Sequence, residues 1–348
     1  MISKESFSKE WIQNKRKLYP KTDPQLIERQ IYAFELVGLL AKSEQEFIFK
    51  GGTSLLLLLP SAHRLSIDVD IVGYFELKDL RELISGSVFI RVEEDERKKK
   101  EIPKKHFKFF YISALDRRET YVLLDVLYTN HGFPKILSVP INNAIFKVEE
   151  EVNVNIPTID GILGDKLTAF APNTTGVPFG RRKSMEIIKQ IFDIGKLFNE
   201  SKDIDQVRTA YQSIQKEESK YRKGNPTLNE TLEDTIETSF LFCQSRLKGS
   251  KENENIAEMH QGIKQIQSYL LGEAYRIEDA RISVSRAAFL ATVLKKNKKN
   301  LKLSEVRFSD SRIEQVKDVI LKGDLEILNR LKATQTETFY YWWLISQL

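Results

Sequence analysis

Two aspartates separated by a single residue are the chemically most informative feature of the sequence. Asp68 and Asp70 lie in the segment RLSIDVDIV, whose alternation of polar and apolar residues predicts a β-strand. Side chains two residues apart share one face of a strand, with Cα atoms about 6–7 Å apart. Such carboxylates can bind a pair of metal ions about 3.5–4 Å apart, as in phosphoryl-transfer sites. Arg64 and Ser66 lie on the same face if the segment is extended throughout.

A pair of glycines precedes this strand. The run FIFKGGTSLLLLL predicts a short strand that ends at Gly51 and Gly52 and continues into a leucine-rich helix. Glycines let a ligand approach the backbone, and a helix N-terminus presents unpaired N–H groups to an anion. Thr53 and Ser54 add hydroxyl donors. Such a turn alone is more often an ordinary chain reversal, but next to the two aspartates it predicts a phosphate-binding site, to which we also assign Arg64 and Ser66.

A third carboxylate is expected from a neighbouring strand. Asp125 interrupts the apolar run YVLLDVLY at residues 121–128. A buried carboxylate without a partner costs several kcal/mol or takes up a proton. A metal ion is one partner that removes this cost, and a salt bridge to a basic side chain is the alternative.

The Gly-Gly-Thr turn followed by an Arg-x-Ser-x-Asp-x-Asp strand resembles the AbiEii-type nucleotidyltransferase toxins of bacterial abortive-infection and toxin–antitoxin systems. This group includes the MenT toxins and belongs to the polymerase-β-like nucleotidyltransferase superfamily. The resemblance covers roughly residues 47–200. It implies that Lys166, in GDKLTAF, occupies the position of an essential lysine, and that Asp193, in KQIFDI, matches a late acidic motif. Gln190 stands where the family has an earlier acidic residue.

The same resemblance implies the activity. The chain is expected to transfer a nucleoside monophosphate from an NTP to an acceptor, with two Mg²⁺ ions, or Mn²⁺, held by Asp68, Asp70 and Asp125. Lys166 would reach the phosphates, and Asp193 would either orient Lys166 by an ion pair or act as a base. The implied acceptor is RNA, such as the 3′ end of tRNA, and the implied partner is a cognate antitoxin protein. A small-molecule or protein acceptor remains open, and so does a catalytically inactive binding module.

The length of the chain and the distribution of its helix and strand patterns predict how it is organised into domains. With 348 residues, the chain is too long for one ordinary hydrophobic core. Strand and helix patterns mix before residue 158, and helical patterns dominate afterwards. We therefore expect an α+β fold. A polymerase-β-like nucleotidyltransferase domain with a mixed sheet and flanking helices would span 1–158. A mostly helical domain would follow at 159–348 and contribute Lys166 and Asp193. The aromatic residues 339–343 should dock on the core, because they would aggregate if exposed.

The composition limits which kinds of site, cellular location and acceptor are expected for this chain. One cysteine, Cys243, cannot form an intrachain disulfide, and four scattered histidines disfavour structural zinc. The charged N-terminus has no signal-peptide pattern, and the longest apolar run is too short to cross a membrane, so we expect a cytoplasmic protein. The formal net charge is +5. Basic stretches at 98–108, 181–183 and 295–302 favour an RNA acceptor, although each is also typical of a solvated surface.

Overall fold

The structure is a computed structural model that describes residues 1–61, 63–95, 103–299 and 301–348. The chain divides into two compact units. The first contains residues 1–158 and 267–274, and the second contains residues 159–266 and 275–348. No sequence pattern predicts that residues 267–274 return to the first unit. Whether the two parts fold as independent domains, separated at residue 158, stays a prediction.

The first unit is built on a five-stranded mixed sheet. Its strands are β1 (Phe47–Lys50), β2 (Asp68–Gly73), β3 (Arg91–Glu94), β4 (Lys104–Ile112) and β5 (Glu119–Leu127). They lie in the order β1-β2-β5-β4-β3. Strands β2 and β5 are parallel, and the other neighbours are antiparallel. Strands β6 (Ile136–Pro140) and β7 (Asn153–Pro157) form a separate antiparallel pair.

The α-helices described in the first unit are α1 (Lys9–Leu18), α2 (Pro24–Ala41), α3 (Gly51–Leu58) and α4 (Leu77–Leu83). Helix α2 begins as the sequence predicts, because Asp23 caps it by accepting from the Gln25 amide and Pro24 takes the first helical position. Helix α2 contacts β2 and β5 and is almost entirely buried.

The two faces of the sheet differ in character. One face is apolar and joins α2 in a continuous core, to which β2 and β5 contribute Val69, Ile71, Val122 and Leu124. The other face carries the intervening residues of the same strands, among them the exposed or partly exposed Asp68, Asp70, Tyr121 and Asp125. The alternation seen in the sequence therefore separates a core face from a face that is available for chemistry.

The second unit consists of helices. They are α5 (Ile159–Ala169), α6 (Ser184–Glu200), α7 (Ile204–Ser219), α8 (Leu228–Gln244), α9 (Glu254–Gln265), α10 (Ile277–Lys295), α11 (Leu303–Val306), α12 (Ile313–Val316) and α13 (Thr336–Ser346). Helix α10 packs against α6, α8 and α13. Residues 339–342 of α13 are buried, which confirms that the aromatic tail docks on the core. The expected α+β fold with a mixed sheet, flanking helices and a helical C-terminal region is thus confirmed.

Within the described ranges, no helix is both long and apolar enough to cross a membrane.

Candidate active site

The turn at Gly51 is shaped by Asp70. Gly51 opens α3 with a φ of +79°, in the left-handed region that side-chain-bearing residues rarely adopt. A Cβ at this position would lie 3.0 Å from Cβ and Cγ of Asp70 and closer still to its carboxylate. The Asp70 side chain therefore packs directly on the backbone where α3 begins, and only glycine leaves it room.

Gly52 is packed in the same way against two other candidate residues, Arg64 and Ser66. A Cβ on Gly52 would lie 2.6 Å from Nη2 of Arg64 and 2.7 Å from Oγ of Ser66. The structure thus gathers Arg64, Ser66 and Asp70 around the two glycines. Three polar side chains converge on one short stretch of backbone at the start of a helix.

Thr53 and Ser54, the other two candidate phosphate donors, lie in the interior of the protein. Both are fully buried. The Thr53 hydroxyl contacts the carbonyl oxygens of Ser66 and Asp68 at 3.0 and 2.5 Å, and the Ser54 hydroxyl donates to the carbonyl of Gly51 at 2.9 Å. These bonds hold the glycine turn against the chain that leads into β2. The expected role of the two hydroxyls as phosphate donors stays a prediction, and these contacts lend it no support.

The strand that carries the aspartates is shorter than the sequence pattern suggests. Strand β2 begins at Asp68, and Arg64 forms only an isolated bridge with Leu270. The Leu65 amide donates to the carbonyl of Tyr269 at 2.7 Å. The Ser66 amide donates to Oε1 of Gln30 at 2.8 Å. Segment 267–274 and α2 therefore fix the chain before β2, in place of a continuous ladder, and Arg64 is only 6% exposed.

The three candidate aspartates lie on one face of the sheet. In the parallel ladder Asp70 lies opposite Asp125, and Asp68 lies opposite Leu123. Residues opposite one another in a ladder point to the same face, and neighbouring strands are about 4.8 Å apart. Asp68 is exposed, and Asp70 is partly exposed. Sheet register thus places Asp70 and Asp125 side by side, although they are far apart in the sequence.

Asp125 is already paired with basic groups. Nζ of Lys104 lies 2.6 Å from one carboxylate oxygen, and Nδ1 of His106 lies 2.6 Å from the other. Burial alone would raise the pKa of Asp125. The hydrogen bond with His106 and the charge and hydrogen bond of Lys104 outweigh burial and hold this pKa below its usual range. Asp125 is therefore ionised, and the salt bridge left open by the sequence analysis is the arrangement in this structure.

The three aspartates can be compared with what a magnesium site requires. Magnesium takes hard oxygen ligands and uses one or two carboxylates together with substrate phosphates. Asp68 and Asp70 meet this need, because both point to the partly exposed face beside the glycine turn. Asp125 is paired with Lys104 and His106 in this structure, and its expected role as a metal ligand stays a prediction. Among residues 1–61, 63–95, 103–299 and 301–348, no three His, Cys, Asp or Glu side chains are grouped so that they could hold a metal ion.

The second unit brings the other two candidates together. Nζ of Lys166, on α5, lies 2.9 Å from Oδ2 of Asp193, on α6, and both side chains are almost completely buried. The same nitrogen donates to Oε1 of Gln190 at 3.1 Å. Of the two roles considered for Asp193, the arrangement supports the one in which it orients Lys166. Gln190, to which no role was assigned, is thus a second partner of the Lys166 ammonium.

The basic stretches fall into three groups. Lys104, Lys105 and Lys108 form ion pairs with Asp125, Glu76 and Asp95. Residues 181–183 are exposed, as are the described lysines of 295–302. Lys98 to Lys100 lie outside the described residues. The loop that leads to Arg181 and Arg182 is tied at its start by Asp234, which accepts from the amide and side chain of Asn173 and from the hydroxyl of Thr174.

Solved structures resemble this chain only remotely. A candidate nucleotidyltransferase from H. pylori has 15% identity and a TM-score of 0.43, and the match covers 81% of this chain and 97% of that one. JHP933 from Helicobacter pylori has 14% identity and a TM-score of 0.41, with 91% and 100% covered. An antigenic nucleotidyltransferase-like protein from Paracoccidioides brasiliensis has 16% identity and a TM-score of 0.34, with 51% and 84% covered. Similarity at this level carries no argument about chemistry.

The comparison of the sequence with family profiles gives a clearer result than the solved structures do. No protein with a curated description matches the chain. The profile of one family, described as the nucleotidyl transferase AbiEii toxin of a type IV toxin–antitoxin system, matches residues 36–281. This range is more than half of the chain, and it includes the glycine turn, the three aspartates, Lys166 and Asp193. The resemblance drawn from the motifs is thereby confirmed: the chain belongs to the AbiEii family of nucleotidyltransferase toxins.

Proposed function

We propose that this protein transfers a nucleoside monophosphate from an NTP to the 3′ end of an RNA acceptor such as tRNA. The observation that carries the proposal is the packing of Asp70 on Gly51, with Asp68 two residues away on the same exposed face. A triphosphate needs both a close approach to backbone amides and a cluster of carboxylates that can hold a divalent cation. The turn and the strand offer these two features next to one another.

Asp68 and Asp70 would hold the metal, which we propose to be Mg²⁺, with Mn²⁺ as a substitute and two ions in the complete site. The bound metal would neutralise the triphosphate and stabilise the charge that develops in the reaction. Because Gly51 and Gly52 lack a Cβ, the side chains of Asp70, Arg64 and Ser66 come close to the start of α3, and phosphates bound by them would lie beside its N-terminal N–H groups. Arg64 and Ser66, which lie against Gly52, would supply a guanidinium and a hydroxyl to the same phosphates.

For Lys166 we propose the role of the family's essential lysine, a point charge that binds the phosphates of the NTP. Its ion pair with Asp193 and its hydrogen bond to Gln190 restrict the ammonium to one position. This restriction supports the proposal, because a buried lysine fixed in advance loses little freedom when it binds an anion.

Membership of the AbiEii family supports the proposed acceptor and partner. Modification of the tRNA 3′ end would block aminoacylation and stop translation, which fits a toxin. The exposed basic residues 181–183 and 295–302 suit a polyanion. A cognate antitoxin protein would restrain the activity, and we propose the cytoplasm as its site, because NTPs and tRNA are found there.

The test is a labelling experiment. The purified protein is incubated with magnesium, total bacterial tRNA and each α-labelled NTP in turn, beside an Asp70→Ala variant. We expect label on tRNA from one favoured NTP and no label with the variant. Equal labelling by both proteins would contradict the role of Asp70. Label that appears only on proteins or small molecules of a cell lysate would replace the RNA acceptor. Binding of Mg-NTP by calorimetry without any transfer would identify an inactive binding module.

A further inference from the structure

An exposed aromatic ring lies on the same face of the sheet as the aspartates. Strands β4 and β5 place Phe110 opposite Tyr121, with their ring centroids 5.7 Å apart, and Tyr121 is 39% exposed. Asp68 lies opposite Leu123, two residues from Tyr121 on the same face. With a rise of about 3.3 Å per residue and a strand spacing of about 4.8 Å, the Cα atoms of Asp68 and Tyr121 are about 8 Å apart.

Cationic side chains surround the two rings. The guanidinium of Arg91 lies over Phe110, 3.5 Å from the ring centroid. Nζ of Lys108 lies 5.3 Å from the centroid of Tyr121, and the guanidinium carbon of Arg29 lies 6.0 Å from it. We call these five residues the stacking platform. Aromatic faces bordered by cations are the combination that binds single-stranded nucleic acids, because bases stack on the rings and phosphates meet the cations.

Two of these cations, Arg91 and Lys108, also form ion pairs with carboxylates. Arg91 forms ion pairs with Glu93 and Glu119, and Lys108 pairs with Asp95. All the members of these pairs are partly exposed. Ion pairs of this kind contribute little to stability and are screened by salt, so a phosphate can replace a carboxylate at modest cost.

We propose that the stacking platform binds the single-stranded 3′ end of the RNA acceptor, with a base stacked on Tyr121 and the adjoining phosphates at Arg29 and Lys108. This proposal rests on the proposed function and extends it, because it assigns a surface to the acceptor strand. Tyr121 and Asp68 are only about 8 Å apart, which is within the reach of a short single-stranded end. A strand held at Tyr121 can therefore place its terminal hydroxyl at the aspartates. Stacking is tolerant of sequence, so the platform selects a free end in preference to a base sequence.

The test measures RNA binding without turnover. A fluorescein-labelled oligoribonucleotide of about twelve nucleotides, single-stranded or annealed to its complement, is titrated in metal-free buffer and followed by anisotropy. We expect Tyr121→Ala to raise the Kd for the single strand about 5- to 100-fold, and Tyr121→Phe to leave it within about threefold. Tyr121→Leu, which keeps an apolar strand residue but removes the aromatic face, should behave like Tyr121→Ala. The duplex should bind the wild type and all three variants alike.

Tyr74 provides a matched control. It is also an exposed tyrosine, at 62%, and it contacts the ring of Tyr128 with a centroid distance of 5.7 Å. It follows the far end of β2, so Tyr74→Ala should leave the Kd for the single strand unchanged. An equal loss in Tyr74→Ala and Tyr121→Ala would overturn the proposal, and so would an unchanged Kd in folded Tyr121→Ala and Tyr121→Leu.

Two further outcomes separate this inference from its alternatives. If light scattering shows a dimer that Tyr121→Ala dissociates while RNA affinity stays the same, the surface belongs to a second copy and the proposal is overturned. Nucleotide transfer to the same oligoribonucleotide is measured in parallel. Absent transfer with a Tyr121-dependent Kd would refute the proposed function and support the platform. Normal transfer together with an unchanged Kd in Tyr121→Ala would support the proposed function and refute the stacking platform.

Discussion

Substitution of Gly51 by alanine tests the link between the glycine turn and Asp70. The φ of +79° at this position costs an L-residue about 1–2 kcal/mol. The new methyl group would also lie 3.0 Å from Cβ of Asp70. Carbon atoms prefer separations of about 3.5–4.0 Å, so the Asp70 side chain or the turn must move by about half an ångström or more.

Gly86 allows the two effects to be separated. Its φ is +73°, and a Cβ added there would meet no atom within 4 Å. Gly86→Ala therefore carries a similar backbone cost without displacing a neighbour. Both variants should lose about 1–2 kcal/mol of unfolding free energy, measured by urea denaturation. Any further loss in Gly51→Ala would report the steric contact.

Activity gives the sharper contrast. Displacement of a catalytic group by about 1 Å can reduce a rate by about 100-fold. We expect Gly51→Ala to lower kcat/KM for nucleotide transfer by about this factor, and Gly86→Ala to retain nearly full activity when both are assayed under conditions in which they are folded. Equal kcat/KM for the two variants would refute the reasoning, because the close contact between Gly51 and Asp70 would then have no bearing on the chemistry.

Three further substitutions address the buried polar groups. Asp193→Ala leaves the Lys166 ammonium buried without its counter-charge, so we expect a loss of about 3–5 kcal/mol in urea unfolding, whereas a loss below about 1 kcal/mol would contradict the buried ion pair. Asp125→Asn should reduce the acid sensitivity of the fold. The pKa of Asp125 is held below its usual value of about 3.9, so its stabilisation is complete above that value and is lost as the pH falls through the lowered pKa. Wild-type stability should therefore fall more steeply with acid than that of the variant, and parallel pH profiles would exclude this contribution. Thr53→Val removes a buried hydroxyl that contacts two backbone carbonyls, and we expect it to cost about 1–3 kcal/mol by thermal unfolding, against no change if the hydroxyl is dispensable.

The parts of the site that the sequence predicts well are those set by local rules. The alternation in RLSIDVDIV predicts which residues of β2 face the core, because side chains in a strand alternate strictly. The glycine pair predicts a close approach of a ligand to the backbone, and in the structure the side chains of Asp70 and Ser66 occupy the space beside the glycines. Asp23 followed by Pro24 predicts the start of α2 for the same kind of local reason.

Other features depend on contacts between distant parts of the chain. The hydroxyls of Thr53 and Ser54 look like ligand donors in the sequence, yet they are buried against backbone carbonyls. Which description applies depends on where the chain before β2 runs, and that path is fixed partly by residues 267–274, about two hundred positions later. No local pattern near Thr53 carries this information.

Asp125 shows how sheet register decides between two chemistries. An aspartate inside an apolar strand must find a positive partner, and either a metal ion or a basic side chain satisfies that need. The hairpin between β4 and β5 places His106 directly opposite Asp125, with Lys104 two residues away on the same face. A shift of one residue would turn Lys105 and Phe107 to this face in place of Lys104 and His106, so the register decides which side chains Asp125 meets. A carboxylate retains further lone pairs after two hydrogen bonds, but a divalent ion bound to them would be repelled by the neighbouring Lys104 ammonium. Lys104 and a metal ion would therefore compete for Asp125.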